Sequence, residues 1–577
     1  MKNIKFLFLL AVLGYFGCSD PVLDTKPGDS YNEAVVYSDI ALAEKLVYYN
    51  YNVTENWGMN FADWWTRRIG IENASDESWF HWATNTRYTT NLSSTTPSNM
   101  GFYRETWPVF WRYVGAANNF LSKIEGSEIQ ASNPEETNAL KGEMKYLRAL
   151  AYQQMINFWG GVPLVTEPVP LESAPEFRQG RASYQECVEF IVKELDEAVK
   201  LLPEGPRKGA EFGRASRAAA LALKSRVLLY AASDLHDPAL APQTTDKELY
   251  TYSKANKWQE AADAAKAVMD LPDYALQTFT SSEQYHDFFL TPNSELIFGR
   301  PYNSEDFNVP NDANTMPDKA HGTVANGGWG LSNPTHNFVQ DFKMANGLHI
   351  DEPGSGYDGS VENIYANREM RFYANINYQG ASFMGKELEY WSPFGNCSKD
   401  LPGNDGKHFA ATGYNLRKFL DESITVDVTQ SPNRPFPLAR LPEMYLNYAE
   451  AQFRAGNEGE ARWAVSQIAE RVGLPAITST GEKLLEDIKY ERKMELFFEH
   501  HRFYDLRRWM DTEAMAAPVI GVQWVRMRNG RPNPRGELEM IGPNVLEIRD
   551  FNTEDYYLPI QQDEIEKTSM RQNFGYN

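Results

Sequence analysis

Seven of the 14 tryptophans of this chain lie within 55 of its 577 residues. They are Trp57, Trp64, Trp65, Trp79, Trp82, Trp107 and Trp111. Flat aromatic rings stack on the apolar C–H faces of sugars, while polar neighbours bond the hydroxyl groups. The clustering therefore predicts either a carbohydrate-binding surface or a large aromatic core.

The spacing of the tryptophans separates these two interpretations. Trp107 and Trp111 are four residues apart beside Phe110, so one face of a helix would carry them into a core. Residues 75–85 are polar and mixed instead, with Trp79 and Trp82 three residues apart. We predict that Trp79 or Trp82 contacts a ligand.

Two further tryptophans lie in sequences typical of loops. Trp329 stands among glycines in Asn326–Gly330, where little side-chain bulk surrounds it. Trp391 belongs to residues 389–395, a short aromatic cluster that ends in Pro-Phe-Gly. We predict ligand contact for both, and the alternative for Trp329 is a core residue that anchors its loop.

The motifs of common enzymes and cofactor sites are missing from the sequence. There is no H-E-x-x-H, no P-loop and no G-x-S-x-G, and the nine histidines form no metal signature. Residues 354–359 match G-x-G-x-x-G by letter but follow Asp-Glu-Pro and not a strand. We predict no catalytic residue, no metal and no cofactor.

An enzyme nevertheless stays open as the alternative. Glycosidases need two carboxylates across a cleft, and 78 acidic residues could supply such a pair. The acids and bases of residues 491–508 recur at helical spacings, which is more typical of ion pairs within and between helices. We predict a structural role for that ladder.

Charge and cysteine content exclude several classes. The net charge of −22 argues against binding of nucleic acid or of an anionic membrane through a basic surface. Three cysteines cannot form a disulfide framework. The sequence does not decide whether Cys187 and Cys397 form a single disulfide.

The N-terminus predicts export and lipidation. Two lysines precede an apolar run from Phe6 to Phe16, which is too short to span a bilayer. Cys18 follows Gly17 at the end of the run, as in a lipobox, so we predict removal of residues 1–17 and an acylated Cys18. The alternative is an ordinary signal peptide with a nearby cysteine.

Helices are needed to position the aromatic loops. Caps, stops and one-sided apolar spacing predict a mainly α protein, with helices in 134–159, 183–202, 214–233, 257–269, 440–455, 458–472 and 482–510. Their pairing and small-residue faces are similar to tetratricopeptide repeats; unrelated helical hairpins are the alternative. We predict one domain over 18–577, with a helical-pair scaffold at about 35–275 and 436–577 and a large loop-rich insertion at about 276–435.

An ordered set of segments resembles the SusD/RagB family of outer-membrane nutrient-uptake lipoproteins. After the lipobox come residues 140–150 with the Gly-Gly-Val-Pro turn at 160–163, and then Gly213–Ala231. Later come residues 333–335, 440–451, 491–509, 557–565 and 572–576. The resemblance spans nearly the whole chain and implies a SusD-like fold.

The resemblance also implies a function and site residues. Residues 76–85 are similar to a family stretch in which tryptophan stacks on a glycan and asparagine bonds its hydroxyls, which implies a role for Asn85 beside Trp79 and Trp82. Residues 326–330 are similar to the loop that supplies a second stacking residue, here Trp329. The implied protein is lipid-anchored to the outer membrane at the cell surface, where it binds a glycan and lids a SusC-like TonB-dependent transporter, without catalysis.

Three hypotheses follow from the sequence. The preferred one is a glycan-capturing lipoprotein, and the runner-up is a secreted helical glycoside hydrolase or polysaccharide lyase. The third is a protein-interaction repeat lipoprotein without a sugar ligand, for which changing Trp82 and Trp329 would have no effect.

Overall fold

Long helices occupy both ends of the chain, as the sequence predicts. The computed structural model describes residues 33–56, 71–80, 95–100, 103, 106–170, 179–242, 246–302, 321–401, 406, 408–423 and 434–576. The first helices are α1 (Glu33–Val36), α2 (Ile40–Asn50), α3 (Thr106–Ile124), α4 (Glu128–Ser132), α5 (Pro134–Trp159), α6 (Tyr184–Leu201), α7 (Arg217–Ala232) and α8 (Lys257–Met269).

The helices that follow are shorter until residue 441. They are α9 (Ser282–Phe288), α10 (His336–Asp341), α11 (Met370–Asn375), α12 (Leu441–Arg454), α13 (Glu458–Glu470), α14 (Glu482–Glu495), α15 (Arg502–Arg508), α16 (Thr512–Met515) and α17 (Gln562–Thr568). None of the described helices is long and apolar enough to cross a membrane.

Local signals set the ends of these helices. The predicted capping box at α6 is present: Ser183 Oγ accepts the Glu186 N–H at 3.1 Å, and Glu186 Oε2 accepts the Ser183 N–H at 2.8 Å. Helix α5 ends at Gly160, whose φ of 72° favours glycine. A Cβ on the next residue, Gly161, would lie 2.1 Å from the carbonyl oxygen of Ala182.

Neighbouring helices bury one another's faces and form the predicted scaffold. Helix α5 packs on α6, α6 on α7, α7 on α8, α8 on α12, and α12 on α13. The contacts are close because small residues line them, including the fully buried Ala262, Ala265, Ala449 and Ala464. Trp107 is also core, as predicted, and its ring meets that of Trp111 edge-on at 5.7 Å.

Short strands lie in and beside the loop-rich region, with one, β1, near the N-terminus. They are β1 (Ser78–Phe80), β2 (Leu296–Tyr302), β3 (Ser332–Pro334), β4 (Ile376–Asn377), β5 (Ser382–Phe383), β6 (Lys386–Glu387), β7 (Asn415–Leu416) and β8 (Arg434–Arg440). They form the antiparallel pairs β1–β3, β2–β8, β4–β7 and β5–β6.

A β-hairpin interrupts the C-terminal helices, which differs from the sequence prediction. Residues 436–577 were assigned to the helical scaffold, but β9 (Val519–Arg528), β10 (Arg531–Pro532) and β11 (Glu537–Glu547) form an antiparallel sheet there. The turn contains Asn529 and Gly530, both with positive φ, and it joins Arg528 to Arg531, which pair across β9 and β10. An Asn-Gly turn is a hairpin signal, and here it outweighs the helical context.

The charge ladder of residues 491–508 is structural, as predicted. Arg371 donates to Glu491 at 2.8 Å, and Arg492 donates to Asp505 at 2.7 Å. Arg440 meets Glu495 at 2.6 Å, with all of these side chains buried. Buried charges must be paired, so the ladder locks helices α14 and α15 to the rest of the core.

Candidate functional site

A cleft of about 300 Å³ lies between strand β1, two loops of the insertion and the C-terminal hairpin. Strand β1 contributes Trp79, and the loops are residues 390–399 and 409–413. The lining is Trp79, Tyr390, Ser392, Cys397, Ser398, Lys399, Phe409, Ala410, Ala411, Gly413, Gly521, Val522, Gln523, Trp524, Asn544 and Leu546. Aromatic rings and uncharged polar groups dominate this surface.

Two glycines allow the walls to approach each other. A Cβ on Gly413, whose φ is 89°, would lie 2.6 Å from the carbonyl oxygen of Val522. A Cβ on Gly521 would lie 2.9 Å from the Cα of Thr412. The close approach lets the Val522 N–H donate to the Thr412 carbonyl at 2.9 Å, which joins the hairpin to the loop.

Strand β1 places Trp79 in the cleft. Trp79 pairs with Asn333 and Phe80 pairs with Ser332, so the β1–β3 register is fixed by three residue pairs. Successive side chains of a strand point to opposite faces. Trp79 therefore faces the cleft, while Phe80 packs with Leu331 and Trp329 on the other side.

The indole of Trp79 is held by a pair of charged side chains from the end of β11. Its Nε1–H donates to Glu547 Oε2 at 3.0 Å. Glu547 Oε1 lies 3.5 Å from Arg549 Nε, and Arg549 also donates to the carbonyl of Asn73 at 2.8 Å. The edge of the ring is thus bonded to a partly buried, oriented carboxylate.

The residues just before Trp79 are anchored by ion pairs. Arg502 donates to both oxygens of Asp76 at 2.7 and 2.8 Å, and Lys493 donates to Oδ2 at 2.9 Å. Burial alone would raise the pKa of Asp76, but the two cations outweigh it and hold that pKa well below its ordinary value. Burial raises the pKa of neighbouring Glu77 instead, reinforced by the negative charges of Asp76 and Glu72.

Apart from Lys399, the rest of the lining is uncharged. Tyr390 donates to Asn415 Oδ1 at 2.9 Å, and burial raises its pKa well above the ordinary value. Burial likewise raises the pKa of the Cys397 thiol to about 12, so it stays protonated. Trp524 is buried, and its Nε1–H has no hydrogen-bond partner among the described residues.

The structure separates the tryptophans that the sequence grouped together. Trp329 is half-buried on the far side of the β1–β3 pair, where its ring stacks on His408 at 5.7 Å. Trp391 is only 5% exposed and lies beneath Arg526, whose guanidinium carbon is 5.3 Å from the ring centroid. Trp391 supports the wall of the cleft and is not part of its described lining, and its contact with a ligand remains a prediction.

Three predicted residues lie outside the described part of the chain. They are Trp82, Asn85 and the lipidation residue Cys18. Trp82 and Asn85 follow β1 within five residues, so they remain proposed contacts near Trp79.

Sequence reasoning missed the wall contributed by the hairpin. Gln523, Trp524 and Asn544 line the cleft but lie more than 430 residues after Trp79 in the chain. The Asn-Gly turn could have revealed the hairpin, but no local pattern shows which loops it meets. Phe409 was missed because it is a single aromatic in a Gly-rich loop.

The described part of the cleft is poor in acidic side chains and in clusters of metal ligands. The cleft lining that the structure describes contains no aspartate or glutamate. No group of three or more potential metal ligands occurs among these residues. Cys187 and Cys397 are both buried free thiols, so the bridge left open by the sequence is not formed.

Two family profiles match the chain. That of the SusD family matches residues 294–576, and one described as "Starch-binding associating with outer membrane" matches residues 23–229. A SusD-like protein of Bacteroides ovatus is 24% identical over 527 residues, which cover 88% of this chain and 83% of the relative.

Solved structures show the same fold. A SusD-like protein from Bacteroides fragilis has a TM-score of 0.76 and 28% identity, with 95% of this chain and 99% of that chain covered. A SusD-like carbohydrate-binding protein from the same species has a TM-score of 0.74 and 23% identity, with 92% and 99% covered. Profiles, relatives and structures agree from one end of the chain to the other, and the chain belongs to the SusD family.

Proposed function

We propose that this protein captures an oligosaccharide or polysaccharide in the cleft and does no chemistry on it. The observation that carries the proposal is the lining: Trp79, Phe409 and Trp524 beside Ser392, Gln523 and Asn544. Apolar ring faces and uncharged hydrogen-bonding groups are what a sugar surface requires. A neighbour in fold is described as carbohydrate-binding, which agrees with this function.

The hydrogen-bonding groups in the cleft suit hydroxyl groups. Asn544 is exposed at the cleft, and its side-chain amide offers both a donor and an acceptor. Gln523 is exposed and offers both a donor and an acceptor. Trp82, Asn85 and Trp329 would extend the contact surface beyond the cleft.

The absence of acids from the described lining favours capture over hydrolysis. Glycosidases place two carboxylates across the scissile bond. Two carboxylates beside the cleft are already bonded: Glu547 accepts from Trp79 and is paired with Arg549, and Asp400 accepts from the hydroxyl of Ser392. A hydrolase or a lyase is the alternative that product analysis must test.

The same proposal includes a place and a partner in the cell. Acylated Cys18 would anchor the chain to the outer membrane at the cell surface, and a SusC-like TonB-dependent transporter would take up the captured glycan. The profile that describes association with the outer membrane supports this location. In cells, Cys18→Ala should move the protein from the membrane fraction to the soluble fraction, and the wild type should co-purify with the transporter.

Affinity gels with a panel of neutral and acidic polysaccharides test the binding function. We expect retarded migration of the wild type on at least one polymer and loss of retardation for Trp79→Ala. Reducing-end and unsaturated-product assays on the same polymers should show no release. Product formation would establish the enzyme alternative, and unretarded migration on every polymer would contradict the proposal.

A further inference from the structure

The tip of the C-terminal hairpin is basic in a strongly acidic protein. Residues 526–536, called the basic tip below, contain Arg526, Arg528, Arg531 and Arg535 and no aspartate or glutamate. The chain as a whole has a net charge of −22. Arg528, Arg531 and Arg535 are exposed, and Arg526 is half-buried. Such a local excess of positive charge needs an explanation.

The arginines of the basic tip do not balance carboxylates within the described chain. Arg526 donates to the Gly536 carbonyl at 3.3 Å and lies over the ring of Trp391. None of the four arginines is in an ion pair with a described residue. Arginines elsewhere behave differently, since Arg440 and Arg508 bind the buried Glu495 and Glu450 at 2.6 Å.

Strand alternation separates the basic side chains from the nearby acids. On β9, Arg526 and Arg528 share a face with Trp524, because residues two apart point the same way. On β11, Glu537 and Glu539 are paired with Met527 and Val525, so they belong to the opposite face. The basic face is therefore a continuation of the strand face that carries Trp524.

A second cation lies in the cleft itself. Lys399 is part of the lining, is exposed, and its Nζ lies 6.0 Å from the centroid of the Phe409 ring. Its neighbour Asp400 bonds the hydroxyl of Ser392, and Lys399 has no ion pair among the described residues. Arg526 is two residues beyond Trp524, roughly 7 Å along the strand.

We propose that the basic tip and Lys399 bind the carboxylate or sulfate groups of an acidic polysaccharide whose rings rest in the cleft. This inference rests on the proposed function and names the class of its ligand. The guanidinium group of arginine binds a carboxylate or a sulfate group through two parallel hydrogen bonds. A polyanion is repelled by the acidic body, so a local cluster of cations beside the rings is needed to retain it.

Continuity with the aromatic cleft favours a saccharide over a lipid headgroup. A charge patch for a membrane needs no adjoining aromatic cleft, whereas an acidic glycan presents rings and charges along one chain. Exposed ion pairs are individually weak and screened by salt, so several arginines must act together. We therefore expect the contribution of the basic tip to fall as the ionic strength rises.

The test compares matched ligands and matched variants in affinity gels and calorimetry. The ligands are polygalacturonate, alginate and chondroitin sulfate, each beside its carboxyl-reduced or desulfated form, together with neutral laminarin. The variant is Arg528→Gln with Arg531→Gln and Arg535→Gln. The control is Lys193→Gln with Lys200→Gln and Lys208→Gln, which removes the same charge from exposed positions on the helical scaffold.

We expect at least one acidic polymer to bind about tenfold more tightly than its neutralised form, with that advantage lost in the arginine variant and retained in the control. Equal affinity for acidic and neutral forms, or an arginine variant that binds like the wild type, would overturn the inference and leave the proposed function standing. Failure to bind any polymer, laminarin included, would overturn both. Wild-type binding to phosphatidylglycerol vesicles that the arginine variant loses would assign the basic tip to a membrane and would also overturn the inference.

Discussion

At the scale of single residues, the orientation of Trp79 depends on groups that are distant in the chain. Glu547 accepts from its indole, Arg549 holds Glu547, and Asp76 fixes the backbone before it through Arg502. The ring is thus held before any ligand arrives, so little conformational entropy is lost when a sugar stacks on it.

Substitution of Glu547 tests whether this carboxylate acts by positioning Trp79. Glu547→Ala removes the acceptor and should lower glycan affinity about fivefold, the equivalent of about 1 kcal/mol for one hydrogen bond. Glu547→Gln keeps an acceptor oxygen and should retain most of the affinity. Calorimetry and the emission spectrum of the tryptophans follow both effects, and identical behaviour of the two variants would contradict a positioning role.

A buried histidine should make stability depend on pH. His236 is buried, and its Nδ1 lies 2.8 Å from the Tyr250 carbonyl, so Nδ1–H donates. Burial, with a smaller contribution from nearby Arg507 and Lys257, outweighs the effect of that hydrogen bond and lowers its pKa to about 3. The unfolded chain binds this proton near pH 6.5 and the folded chain does not, so stability falls as pH falls from about 6.5 to about 3.

The measurement compares urea unfolding of the wild type and His236→Gln at pH 7 and pH 5. Between these values the wild type should lose about 2 kcal/mol relative to the variant, because the substituted side chain does not titrate. If the difference in the free energy of unfolding between wild type and variant is the same at both pH values, then His236 is protonated in the folded state at pH 5.

The sequence allowed only part of this residue-scale description. Trp79 was a candidate because it stands in a polar stretch, and Trp107 was correctly placed in the core by its spacing from Phe110. Glu547 could not be assigned, since its contact spans 468 positions of the chain. Trp391 was a candidate because its neighbours are typical of a loop, and the position of Arg526 over its ring could not be foreseen from the sequence.

At the scale of elements, the hairpin β9–β11 builds one wall of the cleft. Its turn contains Asn529 with a φ of 52° and Gly530 with a φ of 71°. Left-handed backbone is costly for β-branched residues and tolerated by glycine and asparagine. The shape of the binding wall therefore depends on this turn.

A substitution in the turn should loosen the hairpin without unfolding the scaffold. Gly530→Val should destabilise the turn by about 1–2 kcal/mol and reduce glycan affinity. Gly530→Asn is the matched control and should behave nearly as the wild type does. Amide exchange should accelerate in residues 519–547 of the valine variant and stay unchanged in α5 and α12. Acceleration throughout the chain would contradict a local effect.

The helices could be predicted from the sequence, whereas the walls of the cleft could not. Helix α6 begins at a capping box and α5 ends at two glycines, so a few consecutive residues determine each of these boundaries. The cleft is assembled from residues 79, 390–399, 409–413 and 521–546, whose contacts depend on tertiary packing. The Asn-Gly turn is the part of the hairpin that can be recognised in the sequence.

At the scale of the whole molecule, buried ion pairs join the two ends of the chain to the insertion. Arg440 at the end of β8 binds Glu495 of α14 and Glu499, both at 2.6 Å. Arg226 of α7 binds Glu443 of α12 at 2.6 Å. Arg371 of α11, within the insertion, binds Glu491 of α14 at 2.8 Å. This network of buried pairs connects the N-terminal helices, the insertion and the C-terminal helices.

Breaking one pair should therefore affect the stability of the whole protein. Arg440→Leu removes one cation from each of two buried carboxylates, of which Glu495 keeps Arg471 and Glu499 keeps Lys418. It should cost about 3 kcal/mol in the free energy of unfolding, the lower end of the cost of a broken buried pair. The control is Arg217→Gln, which removes an exposed pair with Glu204 and should cost at most about 1 kcal/mol. Equal denaturation midpoints for the two variants would contradict the network's role.

The central claim is that the aromatic cleft captures a glycan without altering it. The most direct measurement is calorimetric titration of one intact polysaccharide, chosen from the affinity-gel panel, into the wild type and into Trp79→Ala, with chromatography of the sugar afterwards. The account predicts saturable binding by the wild type, at least about tenfold weaker binding by the variant, and a recovered polysaccharide of unchanged length. Equal affinity of the two proteins, or shortened chains after incubation with the wild type, would contradict it.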